Sequence, residues 1–215
     1  MNMQILEKCP LFAGIKGEEI AAALKCLQAK QQKYHKDAFI FRTEDPALHV
    51  GIVLQGGVKV IQEDFWGNRM ILTHIEPGEI FGEAFSCAGV KKLTVSVIAA
   101  EATEVLLIDY QKIIYPRNCR FQPLFINNML QILANKNIML TRKMGHLSRR
   151  TTKEKLLSFL SAQAIQTKNR EVVIPYSRQE LADFLYVDRS ALCRELAKMK
   201  KDGLLDYKKN RFSLK

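Results

Sequence analysis

The sequence lacks the features that mark membrane and secreted proteins. None of its apolar runs reaches the roughly 18 residues that a transmembrane helix needs, and its first residues show no signal-peptide pattern. Its 5 cysteines are odd in number and include no CxxC pair, which argues against a disulfide framework. We therefore expect a cytoplasmic protein that does not associate with a membrane and whose cysteines are buried or free thiols.

Histidine is also scarce, and its spacing excludes one class of enzyme. The 4 histidines include no HxH pair, whereas a cupin-like metal site needs histidine and glutamate clustered on the strands of a barrel. We expect that the protein is not an enzyme and binds no metal. Its 215 residues suffice for one large or two small domains with a core in each.

Acidic residues are few relative to basic ones, mainly in the C-terminal third. The chain has 33 Lys and Arg against 22 Asp and Glu; residues 146–215 contain 16 and 8 of these, which leaves 17 and 14 for the rest. A basic excess at one end predicts an anionic partner there. Nothing in the sequence resembles a basic amphipathic membrane anchor, so we expect nucleic acid to be that partner.

The stretch that begins at Ser177 predicts two short helices joined by a tight turn. Ser177 and Glu180 have the spacing of a capping box, in which each side chain bonds a free backbone N–H at the helix start. Tyr186 and Val187 can form a hydrophobic wedge at the turn, and Asp188 is a good N-cap for the second helix.

The second helix has two chemically different faces. Leu192, Leu196 and Met199 share the face that we expect to point to the core. An arginine can form two hydrogen bonds with guanine O6 and N7, and small neighbours allow a helix to approach the major groove closely. The opposite face has this composition: Arg189, Ser190, Cys193, Arg194 and Ala197.

Residues 204–214 predict a terminal hairpin with a basic tip. Gly203 ends the preceding helix in a left-handed conformation, and the tip is positioned to contact DNA phosphates. The predicted DNA-binding residues of the helices and the hairpin are Ser177, Arg178, Arg189, Ser190, Cys193, Arg194, Lys208, Lys209 and Arg211. The alternative is a packing module whose arginines are merely solvated.

In this order, the capping box, wedge, two-arginine helix and basic hairpin resemble the winged helix-turn-helix of the Crp/Fnr family of bacterial transcription regulators. The resemblance implies a homodimer that binds a palindromic operator in double-stranded DNA, and it makes RNA polymerase a candidate partner. Ser190 stands where a well-known member has a glutamate, so we do not assume the same operator sequence.

The N-terminal half predicts short β-strands separated by turn signals. Six segments have strand composition: 38–41, 49–54, 58–62, 69–75, 94–99 and 104–108. Strands at this spacing indicate an antiparallel sandwich or barrel. With the preceding segment Cys9–Ile15, the pattern resembles the cyclic-nucleotide-binding β-roll of Crp/Fnr proteins.

The β-roll resemblance identifies a candidate effector region and one departure from it. In members that bind cyclic AMP, a Gly-Glu pair opens a short helix, and an arginine followed by Ser or Thr neutralises the phosphate. Gly82, Glu83 and Thr94 match, but the arginine position is Leu93. A buried phosphate without its cation is costly, and Lys91 or Lys92 cannot copy the guanidinium fork.

We therefore expect a small-molecule effector other than cyclic AMP. The candidate effector residues are Gly82, Glu83, Ala84, Lys91, Lys92 and Thr94. A regulator that responds to a cyclic nucleotide, or to thiol oxidation at Cys87, Cys119 or another pair, remains an alternative. An iron–sulfur cluster needs three closely spaced N-terminal cysteines and is excluded. Haem needs an axial ligand, for which His35, His49 and His74 are weak candidates.

Residues 121–147 predict one long helix with two adjacent apolar stripes. Phe125, Met129, Ile132 and Met139 form the stripe that we expect to pack against the β-roll. The second stripe predicts a dimer interface of the coiled-coil type, with Asn137 fixing the register; its residues are Ile126, Leu130, Leu133, Asn137, Leu140 and Met144. A monomer with one thick helix is the alternative.

The prediction is an α+β protein with an N-terminal antiparallel, jelly-roll-like β-roll, a long dimerisation helix and a C-terminal winged helix-turn-helix. The predicted boundaries are residues 1–116, 117–147 and 148–215, with a hinge at residues 145–152. An effector in the β-roll would move the long helices and change the spacing between the two recognition helices.

Overall fold

The computed structural model describes most of the chain, in the ranges 3–64, 66, 69–115, 118–174 and 176–215. The chain separates into an N-terminal unit (residues 1–135) and a C-terminal unit (residues 136–215). None of the helices within the described ranges is both long and apolar enough to cross a membrane. The predicted three-part division, with a separate dimerisation helix, stays a prediction.

The N-terminal unit contains two four-stranded antiparallel sheets, as the strand spacing predicted. Their orders are β1-β8-β3-β6 and β2-β7-β4-β5. The strands are β1 Lys30–Tyr34, β2 Phe39–Phe41, β3 His49–Gln55, β4 Val58–Glu63, β5 Arg69–Ile75, β6 Ile80–Phe81, β7 Ser96–Ala99 and β8 Thr103–Asp109.

Helices cover one of these sheets. They are α1 Met3–Lys8, α2 Ile20–Leu27, α3 Glu83–Cys87, α4 Tyr110–Ile114 and the first part of α5 Gln122–Leu147. Two short 3-10 turns, Pro10–Phe12 and Gly17–Glu19, lie between α1 and α2. The buried amide of Asn128 in α5 donates to the carbonyls of Leu11 and Ala13, each at 2.9 Å, and so joins α5 to the first of these turns.

Strand β3 is buried on both faces because its sheet has a different partner on each side. Side chains alternate between the two faces of a strand. Val50 and Ile52 pack with the helices in one apolar cluster, whereas Val53 packs in a second cluster with Val58 and Val97 of the other sheet. The candidate effector region adjoins this second cluster, which we call the inter-sheet core.

Strand β1 was not predicted, because its sequence KQQKY contains no apolar alternation. It lies at the edge of its sheet and pairs along its whole length with β8, from Lys30 opposite Leu107 to Tyr34 opposite Thr103. Its first four residues are exposed. Backbone hydrogen bonds to a neighbour, rather than burial, make this segment a strand, and periodicity cannot detect that.

The C-terminal unit contains three helices and a three-stranded antiparallel sheet of order β10-β11-β9. Its elements are α6 Thr152–Thr167, β9 Glu171–Val173, α7 Arg178–Leu185, α8 Arg189–Lys201, β10 Leu205–Lys208 and β11 Arg211–Leu214. The predicted hairpin is confirmed as β10 and β11, and β9 adds a third strand. We call the β10–β11 hairpin the wing.

Helix caps define where α6 and α7 begin. The predicted capping box of Ser177 and Glu180 is confirmed, and Thr151 forms a second box with Glu154 at the start of α6. Since α5 extends to Leu147, the connection between α5 and α6 is shorter than the predicted hinge.

Helix α5 buries only the start of its predicted packing stripe. Phe125, Met129 and Ile132 are buried, whereas Met139, which belongs to the C-terminal unit, is 68% exposed. In the predicted dimer stripe Ile126 and Leu133 are half-buried and Asn137 is exposed. Leu130, Leu140 and Met144 have exposed fractions of 63%, 63% and 69%. These exposed apolar side chains leave a surface that a partner helix can cover.

Candidate nucleic-acid interface and effector region

Helix α8 segregates its side chains as the sequence predicted. Leu192, Leu196 and Met199 are buried in the core of the C-terminal unit. On the opposite face Arg189, Ser190, Arg194 and Ala197 are exposed, and Cys193 is half-buried. The predicted base-contacting residues therefore share one solvent-facing surface, with small side chains between the two arginines.

Asp188 fixes the start of α8. Its carboxylate accepts a backbone hydrogen bond from Ala191 at 2.9 Å and a side-chain hydrogen bond from Ser190 at 2.5 Å. These two bonds, the Ser190 bond first, lower the pKa of Asp188, and nearby Arg194 lowers it further. Asp188 therefore stays ionised at neutral pH and holds the Ser190 hydroxyl beside the first turn of α8.

The turn between α7 and α8 differs in part from the predicted hydrophobic wedge. Val187 packs against the core, but Tyr186 is 57% exposed and adopts a left-handed conformation with φ of 50°. Lys155 in α6 donates to the carbonyls of Leu185 at 3.1 Å and of Tyr186 at 3.5 Å. A lysine satisfies carbonyls at the end of α7, and the left-handed cap keeps the tyrosine ring outside the core.

The wing presents three exposed cations. Lys208, Lys209 and Arg211 all lie at or beside its tip and face solvent. Ser177 is exposed at the start of α7, whereas Arg178 is half-buried and donates to the carbonyl of Lys209 at 2.6 Å. The helices and the wing thus place most of the predicted DNA-binding set on the surface and assign Arg178 a contact within the protein.

The candidate effector residues lie in different environments. Gly82 has a φ of 80° and precedes α3, and Glu83, the first residue of α3, is buried. The remaining four residues, Ala84, Lys91, Lys92 and Thr94, are exposed. The ammonium of Lys92 lies 2.7 Å from the carboxylate of Glu44. Lys92 is therefore already paired, and Thr94 points away from the inter-sheet core.

Leu93 occupies the inter-sheet core. It is 4% exposed and packs in the cluster that contains Phe41, Phe81 and Val97. Its backbone bonds both ways with the neighbouring loop: its N–H donates to Asp45, and its carbonyl accepts from Glu44. At the position where cyclic-AMP-binding family members have an arginine, this protein therefore has a buried apolar side chain.

Phe81 fills the space next to Gly51 on β3. A Cβ on Gly51 would lie 2.1 Å from the Phe81 ring, and the Phe41 and Phe81 ring centroids are 5.5 Å apart. Sequence reasoning missed this contact, although a glycine inside an apolar strand is a signal of close approach. Leu93, Phe41 and Phe81 together make this part of the interior apolar.

A cavity of about 470 Å³ opens beside the inter-sheet core of the N-terminal unit, since Phe41 and Asp45 are among its lining residues. Its lining residues include Lys30, Gln32, Tyr34, His49, Leu107 and Lys112. None of the candidate effector residues is among its lining residues. Sequence reasoning missed it because β1, which supplies part of its wall, has no strand signature.

Two cysteines of the N-terminal unit are in contact. Burial, followed by a hydrogen bond with the Cys119 thiol, raises the pKa of Cys26 to about 11. Burial also raises the pKa of Cys9 to about 11. Since the thiolate is the reactive form, a raised pKa makes these thiols slow to oxidise at neutral pH.

Comparison with protein families assigns both units. The chain matches the cyclic nucleotide-binding domain over residues 31–114 and the Crp-like helix-turn-helix domain over residues 154–215. The matches coincide with the two-sheet N-terminal unit and with the helices and wing of the C-terminal unit. The chain belongs to the Crp/Fnr family.

Individual relatives agree with this assignment. The cyclic AMP receptor protein of Thermus thermophilus is 31% identical over 130 residues, which are 59% of this chain and 56% of that protein. That match therefore spans little more than half the length of the relative. The probable transcriptional regulator flp of Lacticaseibacillus casei is 24% identical over 199 residues, which are 92% of this chain and 87% of that one.

A solved structure of a bacterial regulator shares the fold. The c-di-GMP responsive global regulator CLP of Xanthomonas campestris superposes with a TM-score of 0.61 at 22% identity, and the match covers 93% of this chain and 99% of that one. At this identity the likeness establishes the fold alone.

Proposed function

We propose that this Crp/Fnr protein is a homodimeric transcription regulator that binds a palindromic DNA site and is controlled by a small-molecule effector. The supporting observation is α8, which buries Leu192, Leu196 and Met199 and exposes Arg189 and Arg194. A helix held by one face and cationic on the other suits the major groove.

Each predicted contact has a chemical role. Arg189 and Arg194 bind base edges or phosphates, and Ser190 and Cys193 are small enough to let α8 approach the bases. Lys208, Lys209 and Arg211 contact phosphates, which positions the unit without selecting a sequence. The basic excess of residues 146–215, 16 basic against 8 acidic residues, supplies the long-range attraction.

The dimer brings two copies of α8 to successive turns of one DNA groove. Half-sites one helical turn apart require a separation of about 34 Å. Leu130, Leu140 and Met144 are the exposed apolar residues of α5 that a second copy would cover. RNA polymerase is a further partner that we propose on the family relationship.

The effector that we propose is not cyclic AMP. A cyclic nucleotide buries a phosphate, and this chain has Leu93 in an apolar cluster where the family pattern has arginine. Gly82, Glu83, Ala84, Lys91, Lys92 and Thr94 remain the candidate effector residues. The effector must bind one arrangement of the dimer more tightly than the other, because otherwise it shifts no equilibrium.

Two alternatives have an observation in their favour. The match to the cyclic nucleotide-binding domain favours a regulator that responds to a cyclic nucleotide through a different phosphate contact. Cys26 and Cys119 are in contact, which is the proximity that a regulator responding to thiol oxidation requires, although the raised pKa of Cys26 slows its oxidation at neutral pH.

The test is selection of bound sites from a randomised DNA library, with and without cyclic AMP and with and without a thiol oxidant. We expect a palindrome with half-sites one turn apart that is indifferent to the nucleotide. Recovery only with cyclic AMP contradicts the proposal about the effector, and recovery only after oxidation favours the thiol alternative. If no site is enriched under any of these conditions, the protein does not recognise DNA without an added effector.

A further inference from the structure

Arg178 occupies an unusual position for a cation. It is the first residue of α7, where the helix dipole disfavours positive charge. The sequence analysis placed it in the DNA-binding set. At this position its charge gains nothing from the helix, so any stabilisation has to come from other parts of the protein.

The stabilising groups belong to the wing. The guanidinium carbon of Arg178 lies 5.1 Å from the ring centroid of Tyr207 and 4.8 Å from that of Phe212. These two aromatic residues face each other across β10 and β11, with centroids 6.1 Å apart. Arg178 therefore contacts both strands of the wing through cation–π interactions.

Arg178 also binds the tip of the wing. One of its Nη atoms donates to the carbonyl of Lys209 at 2.6 Å, and Lys209 has a left-handed backbone with φ of 53°. A charge-assisted hydrogen bond of this length is stronger than one between neutral groups. The contact fixes the backbone at the point where the chain reverses between the two exposed cations Lys208 and Arg211.

The environment of Arg178 is partly dehydrated. Burial lowers the pKa of Arg178, whereas nearby Cys193 and Tyr207 raise it. An arginine keeps its charge under these conditions, and a cation–π contact strengthens as water is removed. Cys193 is on the exposed face of α8, so Arg178 lies between the wing and the predicted recognition surface.

A second contact, an ion pair, connects α8 to the wing. The ammonium of Lys200 lies 2.5 Å from the carboxylate of Asp206 and 5.7 Å from the ring centroid of Tyr207. Both Lys200 and Asp206 are about half exposed, so this pair is screened by solvent and weak. The partly buried contacts of Arg178 are stronger than this pair. They act together with the pairing of β11 and β9 and with two hydrogen bonds between Asn210 and Ile174, which hold the other side of the wing.

We propose that Arg178 is a positioning residue that holds the wing at a fixed orientation to α7, so that Lys208, Lys209 and Arg211 reach the DNA backbone together. The inference rests on the proposed DNA-binding function. Under this proposal the guanidinium of Arg178 binds the wing and not a DNA phosphate.

The first test needs no DNA. Amide hydrogen exchange in residues 205–214 of the free protein is compared among the wild type, Arg178→Ala, Arg178→Lys and Lys209→Asn. We expect Arg178→Ala to speed exchange in the wing by about tenfold, since local opening follows the loss of the contacts that hold it. Arg178→Lys keeps the charge but not the planar fork, so we expect most of the same increase.

Lys209→Asn is the matched control. It removes one cation from the tip, but asparagine tolerates the left-handed conformation, and the backbone carbonyl that Arg178 binds is retained. We expect its exchange rates to match the wild type. Tyr207→Leu, which removes one ring and no charge, is expected to speed exchange in the same segment.

The second test is the salt dependence of affinity for the selected operator. Each lost phosphate contact lowers the slope of log affinity against log salt by about 0.9. We expect Lys209→Asn to lower it by about that amount per half-site and Arg178→Ala by roughly two to three times as much. The larger change follows because the whole wing loses its position.

The outcomes separate this inference from the function on which it rests. Unchanged exchange in Arg178→Ala, with a slope change equal to that of Lys209→Asn, makes Arg178 a simple phosphate contact and overturns the proposal. Faster exchange throughout α8 in both Arg178→Ala and Tyr207→Leu also overturns the proposal, because these residues would then stabilise the whole C-terminal unit rather than the wing. A wild type that binds no DNA contradicts DNA recognition without an added effector, while the exchange experiment still decides the role of Arg178.

Discussion

The two units differ in whether they have arginines where the family pattern predicts them. In the C-terminal unit, α8 buries its leucines and exposes Arg189 and Arg194. In the N-terminal unit, the position that the family pattern gives to a phosphate-binding arginine holds Leu93, which is buried in the inter-sheet core. The exposed face of α8 therefore has the arginines that the family pattern predicts, whereas the position of Leu93 in the inter-sheet core departs from that pattern.

The contrast shows how differently surface and interior respond to substitution. A solvent-facing residue of α8 can change without repacking its neighbours, so that sequence specificity can diverge while the helix stays in place. Leu93 is packed with Phe81 and Phe41, and a change there alters the whole cluster. The part of the inter-sheet core around Leu93 is therefore constrained to apolar side chains.

The strongest test of this contrast is Leu93→Arg. An unpaired charge in an apolar core is expected to lower the free energy of unfolding by about 3–5 kcal/mol. Chemical denaturation followed by circular dichroism measures the change. Leu93→Met, which conserves volume and polarity, is the control and should cost less than about 1.5 kcal/mol.

Added cyclic AMP sharpens the same experiment. If it raises the melting temperature of Leu93→Arg but not that of the wild type, the other groups of a cyclic nucleotide site are intact. Equal stability of the arginine and methionine variants would contradict the assignment of Leu93 to a closed apolar core.

Arg194→Ala tests the other side of the comparison. Because Arg194 is exposed, we expect the unfolding free energy to change by less than about 0.5 kcal/mol, while affinity for the selected operator falls by about 1–3 kcal/mol for each half-site. Fluorescence anisotropy with labelled DNA measures the affinity. Arg170→Ala removes an exposed arginine outside α8 and is the control; a folded Arg194 variant that binds like it refutes the base-contact assignment.

Gly51→Ala tests how closely the inter-sheet core is packed. The new methyl group would meet the Phe81 ring at 2.1 Å, so we expect a loss of about 1–3 kcal/mol in unfolding free energy. Gly145→Ala in α5 meets nothing within 4 Å and should gain up to about 1 kcal/mol through helix propensity. A neutral Gly51 variant would indicate that Phe81 moves freely and that the interior can open for a ligand.

A pH dependence of the C-terminal unit is the smallest expected effect. Burial, and then the nearby Arg149, lower the pKa of His146, which contacts Ser158 at 2.9 Å and the ring of Phe159. The unfolded chain, with an ordinary pKa of about 6.5, takes up the proton first as the pH falls. Stability is therefore complete above pH 6.5 and decreases below it.

His146 is the one histidine in residues 146–215, so a histidine titration in the C-terminal unit can be assigned to this residue. Amide exchange in α6 measured between pH 5.5 and 7.5, corrected for the intrinsic rate, should show the loss, and His146→Gln should abolish it. The same slope in the glutamine variant would assign the effect to other groups.

The sequence by itself determined the order and type of most elements. The two helices after Ser177, the wing, the long helix and six of the strands each have a local signal, namely a cap, a period or a turn, and these signals depend on residues close together in the chain. The surface of α8 followed from the same helical period, since a helix held by Leu192 and Leu196 must expose Arg189 and Arg194.

Only the tertiary structure decided what depends on residues far apart in the chain. β1 is a strand because β8 lies beside it, Gly51 is needed because Phe81 covers it, and Met139 is exposed although it continues an apolar stripe. Arg178 binds the tip of the wing 31 residues away, and Leu93 lies against both sheets. Pairing, packing and charge stabilisation across such distances leave no periodic trace in the sequence, because each depends on which side chains the complete fold brings together.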